Sequence, residues 1–396
     1  MSTDKKIKTI LVIGNGFDIA HGLKTRYTDF LDFIEDKRRE DIEHFVNRTL
    51  QKSSINLKNI SESALEKRKK GIRDFYKQNG IEHRKKVKQK RLMSHIYRSL
   101  KSRLFLKPRI FEYIFTFGNV WIDYFKVIRE NKKHRISEDW IDFEKELEDI
   151  IQKIESLIRE GDSAKEKIHK DHNLSLILGN YILAPVKIIV QEIIPKLEWD
   201  LKILLLALES YLLNEEDKLQ HRQLELIKNL PEVSFVISYN YTNTWQKIYG
   251  QNSPNVNPYF IHGQLGKHNL VLGIGETLSH ELENIHTECA SFKKFFQRIK
   301  YRLGNDYKKI SKNYYQYYKW QIVIYGHSLD STDADSLHWL MGQEEKFDTE
   351  LDKVIIYYYD EKSYNRQIAN AIQIIGKKAL MSAVHSGKLV FLPVKD

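Results

Sequence analysis

The feature that most limits what this chain can fold into is a set of short, unbroken apolar runs rich in β-branched residues. They lie at Ile7–Ile13, Val233–Ser238, Pro258–Ile261, Leu270–Ile274, Trp320–Tyr325, Val354–Tyr359 and Leu389–Leu392. Runs of strand length without polar alternation suit strands buried on both faces of a parallel sheet. Residues 14–232 separate the first run from the second and read mostly as helix, with apolar residues three and four apart in Arg109–Glu130, Trp140–Arg159 and Leu183–Leu213. A second helical stretch, Leu278–Tyr318, parts the fourth run from the fifth. The pattern predicts an α/β fold. Residues 1–35 and 231–396 form a Rossmann-like parallel sheet with its helices, and residues 36–230 form a large helical insertion.

Charge is unevenly distributed along this plan. The chain of 396 residues has 64 Lys+Arg against 53 Asp+Glu, a net charge of +11. Residues 37–109 alone hold 23 Lys/Arg against 7 Asp/Glu, so this segment carries +16 and the remainder −5. Such a block is an electrostatic footprint for nucleic acid or another polyanion, and it equally describes a solvated, Lys-rich helical hairpin. Its few aromatics offer no stacking platform for single strands. The single cysteine, Cys289, excludes an intrachain disulfide and a multi-cysteine zinc module. No run approaches the roughly 18 apolar residues of a membrane span, and the apolar stretch after Met1–Lys8 is too short for a signal peptide. The expectation is a cytoplasmic protein with no membrane partner.

The first run leads into Gly14-Asn15-Gly16-Phe17-Asp18, then Ile19-Ala20-His21-Gly22-Leu23. A strand, a glycine turn and a helix start aim backbone N–H groups at a point where phosphate binds well. Neither common phosphate fingerprint fits as written: Ile19 stands where the dinucleotide motif has its third glycine, and the glycine spacing is wrong for a Walker loop. The turn therefore reads either as a ligand loop, with Asp18 reaching ribose hydroxyls, or as a tight turn that needs glycine. Later runs end in Asn240-Tyr241-Thr242-Asn243-Thr244, in Ile261-His262-Gly263, and in Gly326-His327-Ser328-Leu329-Asp330 followed by Thr332-Asp333. Polar groups at the carboxyl ends of strands sit where open α/β sheets bind ligands.

Together with Trp140-Ile141-Asp142-Phe143-Glu144, these motifs resemble those of the AbiH family of bacterial abortive-infection proteins, which act against phage. A more distant resemblance is to sirtuin-like NAD-binding proteins, through Gly14-x-Gly16 with Gly22, then Asn240, His262-Gly263 and Gly326-x-Ser328 in the same order. That resemblance implies a sirtuin-like sheet on which Gly14, Asn15, Gly16, Phe17, Asp18 and Gly22 cradle a nucleotide. It places Gly263, Gly326, Ser328 and Asp330 on the same ligand, with Ser328 and Asp330 toward the adenosine. Asn240 and His262 would be catalytic and NAD the substrate, cleaved at its N-glycosidic bond. Thr242 stands where that family has an Asp, and the zinc-ribbon cysteines are missing, which argues against a protein deacylase.

Rival chemistries are also written in the sequence. Gly326-His327-Ser328-Leu329-Asp330 is one residue short of a G-x-S-x-G elbow, and Ser328, Asp360 and His385 follow in the order of a serine hydrolase. Asp142 and Glu144 could serve a metal nuclease, but residues two apart on a helix diverge, so ion pairing or capping suits them better; no metal is expected. A non-catalytic module that senses a nucleotide or nucleic acid through the basic insertion stays open, as does a homo-oligomer.

Overall fold

The computed structural model describes residues 6–52, 61–74, 107–136, 142–161, 170–179, 185–275, 287–304, 318–341 and 351–394. Six strands are formed among the described residues: β1 (Ile7–Ile13), β2 (Val233–Ser238), β3 (Tyr259–Phe260), β4 (Lys319–Tyr325), β5 (Leu351–Tyr358) and β6 (Leu389–Pro393). They make one sheet in the order β3-β2-β1-β4-β5-β6, and every neighbouring pair is parallel. The fold is α/β and Rossmann-like.

The unbroken apolar runs have the expected cause. Along β1, Ile10 and Val12 face one layer with Ile322, Ile324, Leu337, Leu340 and Ile374, while Leu11 and Ile13 face the other with Phe17, Val236, Val323, Trp245 and Ile248. Successive side chains point to opposite faces, and both faces are covered, so no polar alternation survives. The strand order reverses at β1. The chain builds β2 and β3 on one side and returns to lay β4 on the other, which places the topological switch point between the carboxyl ends of β1 and β4.

One expected strand is absent. Leu270–Ile274 runs buried but joins no ladder beyond a single bridge from Ile274 to Lys293. Its backbone groups are satisfied elsewhere. Val271 N–H donates to the His262 carbonyl at 2.8 Å. The Gln297 side chain accepts from Leu272 N–H at 3.1 Å and donates back to the Leu272 carbonyl at 2.9 Å. Burial demanded apolar residues; pairing was supplied by an amide side chain.

The helices also divide differently from the periodicity. Arg109–Glu130 contains a break at Gly118, whose φ of +77° separates helix Lys107–Phe117 from helix Val120–Ile136. The chain falls into two compact units. The first holds residues 1–26, 142–194 and 212–396 and contains the sheet. Residues 142–194, expected in the insertion of 36–230, cluster with the sheet because helix Phe143–Glu160 is ion-paired into it, through Glu144 to Lys294 at 2.8 Å and Glu155 to Lys293 at 3.1 Å. In the second unit, residues 27–141 and 195–211, the described residues are mostly helical, with Phe30, Ile34, Trp121, Phe125, Leu204 and Tyr211 in the core. Within it, Asn119 caps one helix through Ile122 N–H and donates to the Asp200 carbonyl at 2.7 Å, while Trp121 donates to the Leu197 carbonyl at 2.9 Å. No helix among the described residues is long and apolar enough to cross a membrane.

Candidate functional site

The glycine turn after β1 is closed by its own chain. Gly14 N–H donates to the Tyr325 carbonyl at 3.0 Å, Gly16 N–H to the Gly326 carbonyl at 2.8 Å, and Phe17 N–H to the Gly14 carbonyl at 2.8 Å. Three amides that a phosphate cradle would use are thus already spent. The glycines are explained by the same packing. A Cβ on Gly326 would lie 2.3 Å from Phe17 N, and one on Gly16 would lie 2.6 Å from Gly326 Cα. Gly16 approaches Gly326 rather than open space, and Gly326 itself has a φ of +70°. Tyr359 completes the closure, its hydroxyl donating to the Gly16 carbonyl at 2.9 Å. Gly22 ends the short helix Asn15–Ala20, and Gly263 turns so tightly that a Cβ would meet the Asn269 carbonyl oxygen at 2.1 Å. Asn15 pairs with Thr25.

Inside this turn a small polar network is buried. Asp18 accepts a hydrogen bond from Thr242 Oγ1 at 2.7 Å, and Thr244 donates to Thr242 at 3.0 Å. The other Asp18 oxygen, Oδ1, has no partner among the described residues. Burial pushes the Asp18 carboxyl up to about 6, against hydrogen bonds from Thr242, Thr244 and Asn240. Asn240 donates from its amide to the Gly14 carbonyl at 2.9 Å, which ties the β2 end to the β1 turn.

His262 lies in a different company. Its Nε2 is 2.9 Å from Asp333 Oδ1, and the ring is 4 % exposed. The approach is close but poorly aligned, and neither ring nitrogen makes a hydrogen bond of good geometry among the described residues. On the other side of the same carboxylate, His327 Nε2 stands 3.5 Å from Asp333 Oδ2. Leu329 N–H donates to His327 Nδ1 at 2.9 Å, which fixes that ring with its proton on Nε2, toward Asp333. Leu329 adopts a φ of +58° to make this turn. The Tyr239 ring touches both imidazoles, with centroids 4.3 Å from His327 and 5.6 Å from His262.

A buried lysine anchors the cluster. Lys294 is 2 % exposed and donates to Glu144 Oε2 at 2.8 Å, to Thr332 Oγ1 at 3.0 Å and to Asp333 Oδ1 at 2.8 Å. Three ammonium protons meet three acceptors. Burial opposes its charge, but Asp333 and Glu144 outweigh burial and raise the proton affinity of Lys294. Burial alone would raise Asp333; the Lys294 ammonium reverses this and holds it well below the usual carboxylate range. Glu144 is pushed up to about 8, first by burial and then by Asp333 and Asp142, against Lys294. Burial lowers the proton affinity of His262, with Asp333 opposing, so the ring is neutral near pH 7. Local structure frees these groups for one another. Asp330 caps the turn Ser331–Asp333 by accepting from Thr332 N–H at 3.0 Å, leaving Asp333 free of its own helix start. Asp142 does the same for Glu144, accepting from Glu144 N–H at 3.0 Å. The ion-pairing and capping roles read for this carboxylate pair are both present.

The remaining candidates separate cleanly. Ser328 is exposed, Asp360 caps helix Glu361–Ile375 through Ser363, and His385 is exposed at the end of helix Lys377–His385, so the three hold separate places rather than forming a triad. Among the described residues no group of His, Cys, Asp or Glu is disposed to hold a metal ion. Much of the basic segment 37–109 lies outside the described residues. In its described part Lys37 pairs with Glu40, Lys69 with Glu66 and Arg73 with Glu43, at 2.6, 2.9 and 2.6 Å. Sequence reasoning gave roles to Asn240 and His262 but none to Lys294, His327 or Asp333. Strand-end position flagged the last two, and nothing local flagged Lys294.

A family model described as "Bacteriophage abortive infection AbiH" matches residues 10–351 of the chain. The chain belongs to this family, and with it to antiphage abortive infection. No curated protein and no solved structure matches it.

Proposed function

We propose that this AbiH-family chain is an abortive-infection effector that hydrolyses the N-glycosidic bond of NAD or a related nucleotide, with His262 as general base. The observation that carries the reading is the pairing of His262 with Asp333 at the carboxyl edge of the sheet, Nε2 to Oδ1 at 2.9 Å. Because Lys294 keeps Asp333 ionised, the ring nitrogen facing it bears the proton, and Nδ1 keeps its lone pair. That lone pair is buried and has no partner among the described residues, which is the state a base needs before it meets water.

The chemistry suits such a group. The C1′–N bond breaks with its electron pair leaving on the base, a water oxygen adds to the oxocarbenium-like C1′, and the water proton passes to His262 Nδ1. Fixing the ribose matters as much as the base. The unpartnered Asp18 Oδ1 is an acceptor for a ribose hydroxyl, and Asn240 holds the Gly14 turn in register beside it. The closed turn Gly14–Phe17 then shapes the nucleotide site through its side chains and carbonyls rather than by lending amides to phosphate, with Ser328 and Asp330 on the adenosine side.

The test is chromatography of NAD incubated with the purified chain, with and without phage lysate. Release of the free base together with the ribosyl product supports the reading. Intact NAD under both conditions, with phage protection retained in cells, would replace it by the non-catalytic sensing module. That alternative draws on the three amides already spent at Gly14, Gly16 and Phe17.

A further inference from the structure

We infer that Lys294 is a positioning residue of this site: its buried ammonium is the counter-ion of Asp333, and by holding that carboxylate it keeps the His262 ring neutral and Nδ1 free to take a proton. The geometry sets up a competition. Asp333 Oδ1 lies 2.8 Å from Lys294 Nζ and 2.9 Å from His262 Nε2, so two groups able to carry positive charge share one oxygen. A carboxylate at this depth must be paired. With Lys294 present the demand is met by an ammonium. Without it the nearest group that can acquire charge is His262, and a protonated imidazole is no longer a base.

Every charged group around the ring fits this assignment. Asp333 favours a charged ring, while Lys294 and Arg298 disfavour it, and Arg298 is itself held by Asp335 at 2.6 Å. The Tyr239 ring packs on one side, and its hydroxyl hydrogen-bonds Ser336 Oγ at 2.7 Å. His327 has its Nδ1 occupied by Leu329 N–H and presents a proton to the other oxygen of Asp333. Glu144 and Thr332 take the two remaining Lys294 protons, which fixes the ammonium in place. Thr332 also donates to Glu144 at 2.8 Å. Burial lowers the proton affinity of His262 and Lys294 lowers it further, as the assignment requires. A stabilising role alone would not call for this design, since apolar residues of similar volume commonly replace a buried ion pair at no loss of stability.

The consequence for rate rests on the reading of His262 as the base; the charge state of the ring does not. The experiment is nitrogen-15 NMR of the histidine rings in the full chain between pH 6 and 9, with His262→Gln to assign the signals. Unmutated protein is expected to show a neutral His262 with its proton on Nε2 at pH 7 and above, and Lys294→Arg to match it. Lys294→Met is expected to raise the proton affinity of His262 at least tenfold. In base release, the acid limb of its pH–rate profile moves to higher pH while KM is unchanged. A folded Lys294→Met with an unmoved His262 titration overturns the inference. Should that variant not fold, Lys294→Gln, which removes the charge and keeps a polar side chain, decides in its place: a raised His262 proton affinity upholds the inference and an unmoved one overturns it. No base release combined with a shifted ring in Lys294→Met removes the proposed reaction and leaves this inference standing; release with an unmoved ring does the reverse.

Discussion

The glycine turn after β1 and the charged cluster beyond β3 and β4 both sit at carboxyl ends of strands, yet they use their polar groups in opposite ways. The turn spends its amides on its own backbone, at Tyr325, Gly326 and Gly14, and packs glycine against glycine. The cluster buries Lys294, Asp333, His262 and His327 beside the half-buried Glu144, and leaves His262 Nδ1 without a partner among the described residues. The turn is conspicuous in sequence because close backbone packing tolerates only glycine. The cluster is inconspicuous because ion pairs between distant elements leave no local signature. Here the motif that stands out marks where the backbone is tight, while the buried charged cluster holds the perturbed titratable groups that active sites gather.

Substitutions at three places test this contrast. The largest effect is expected at Asp333. Asp333→Asn leaves the Lys294 ammonium with only Glu144 as a carboxylate partner at full burial, and stability should fall by about 3–5 kcal/mol in urea unfolding. Wild-type stability in this variant would mean that the cluster is not the coupled unit described.

Asp18 comes next, with a pH signature. Its carboxyl rises from 3.8 to about 6 on folding through burial. The folded state therefore binds this proton more tightly than the unfolded state. The contribution is fully present below pH 3.8 and is lost as pH rises through about 6, roughly 3 kcal/mol in all by linkage. Asp18→Asn should flatten the stability profile between these values, and a profile that keeps its slope would show that another group sets it.

The smallest of the three lies in the turn. Gly326→Ala adds a Cβ 2.3 Å from Phe17 N and should cost about 1–3 kcal/mol by overpacking, whereas Gly22→Ala meets nothing within 4 Å and should cost less, despite a φ of +84°. Equal losses at the two glycines would remove the packing explanation.

Much of the fold was legible in the sequence. Six of the seven apolar runs are strands, because a strand covered on both faces has no reason to alternate. Leu270–Ile274 misled because burial and ladder pairing are separate demands, and the Gln297 side chain met the second. His262 and Asn240 were legible as polar residues at strand ends. Their contacts differ: Asn240 donates to the Gly14 carbonyl, while His262 stands against Asp333. Lys294 was not legible at all. Its partners Glu144 and Asp333 lie 150 and 39 residues away, and only the packed helices bring the three together.

The account turns on His262 as the working base, and the most direct measurement is the rate of base release from NAD by the unmutated chain and by His262→Ala, with phage protection scored in the same pair. Removing a general base typically costs roughly 10²–10⁴ in rate. The account predicts a loss of that size in a variant that keeps its fold, accompanied by loss of protection. Base release and protection at the unmutated level in folded His262→Ala would contradict it.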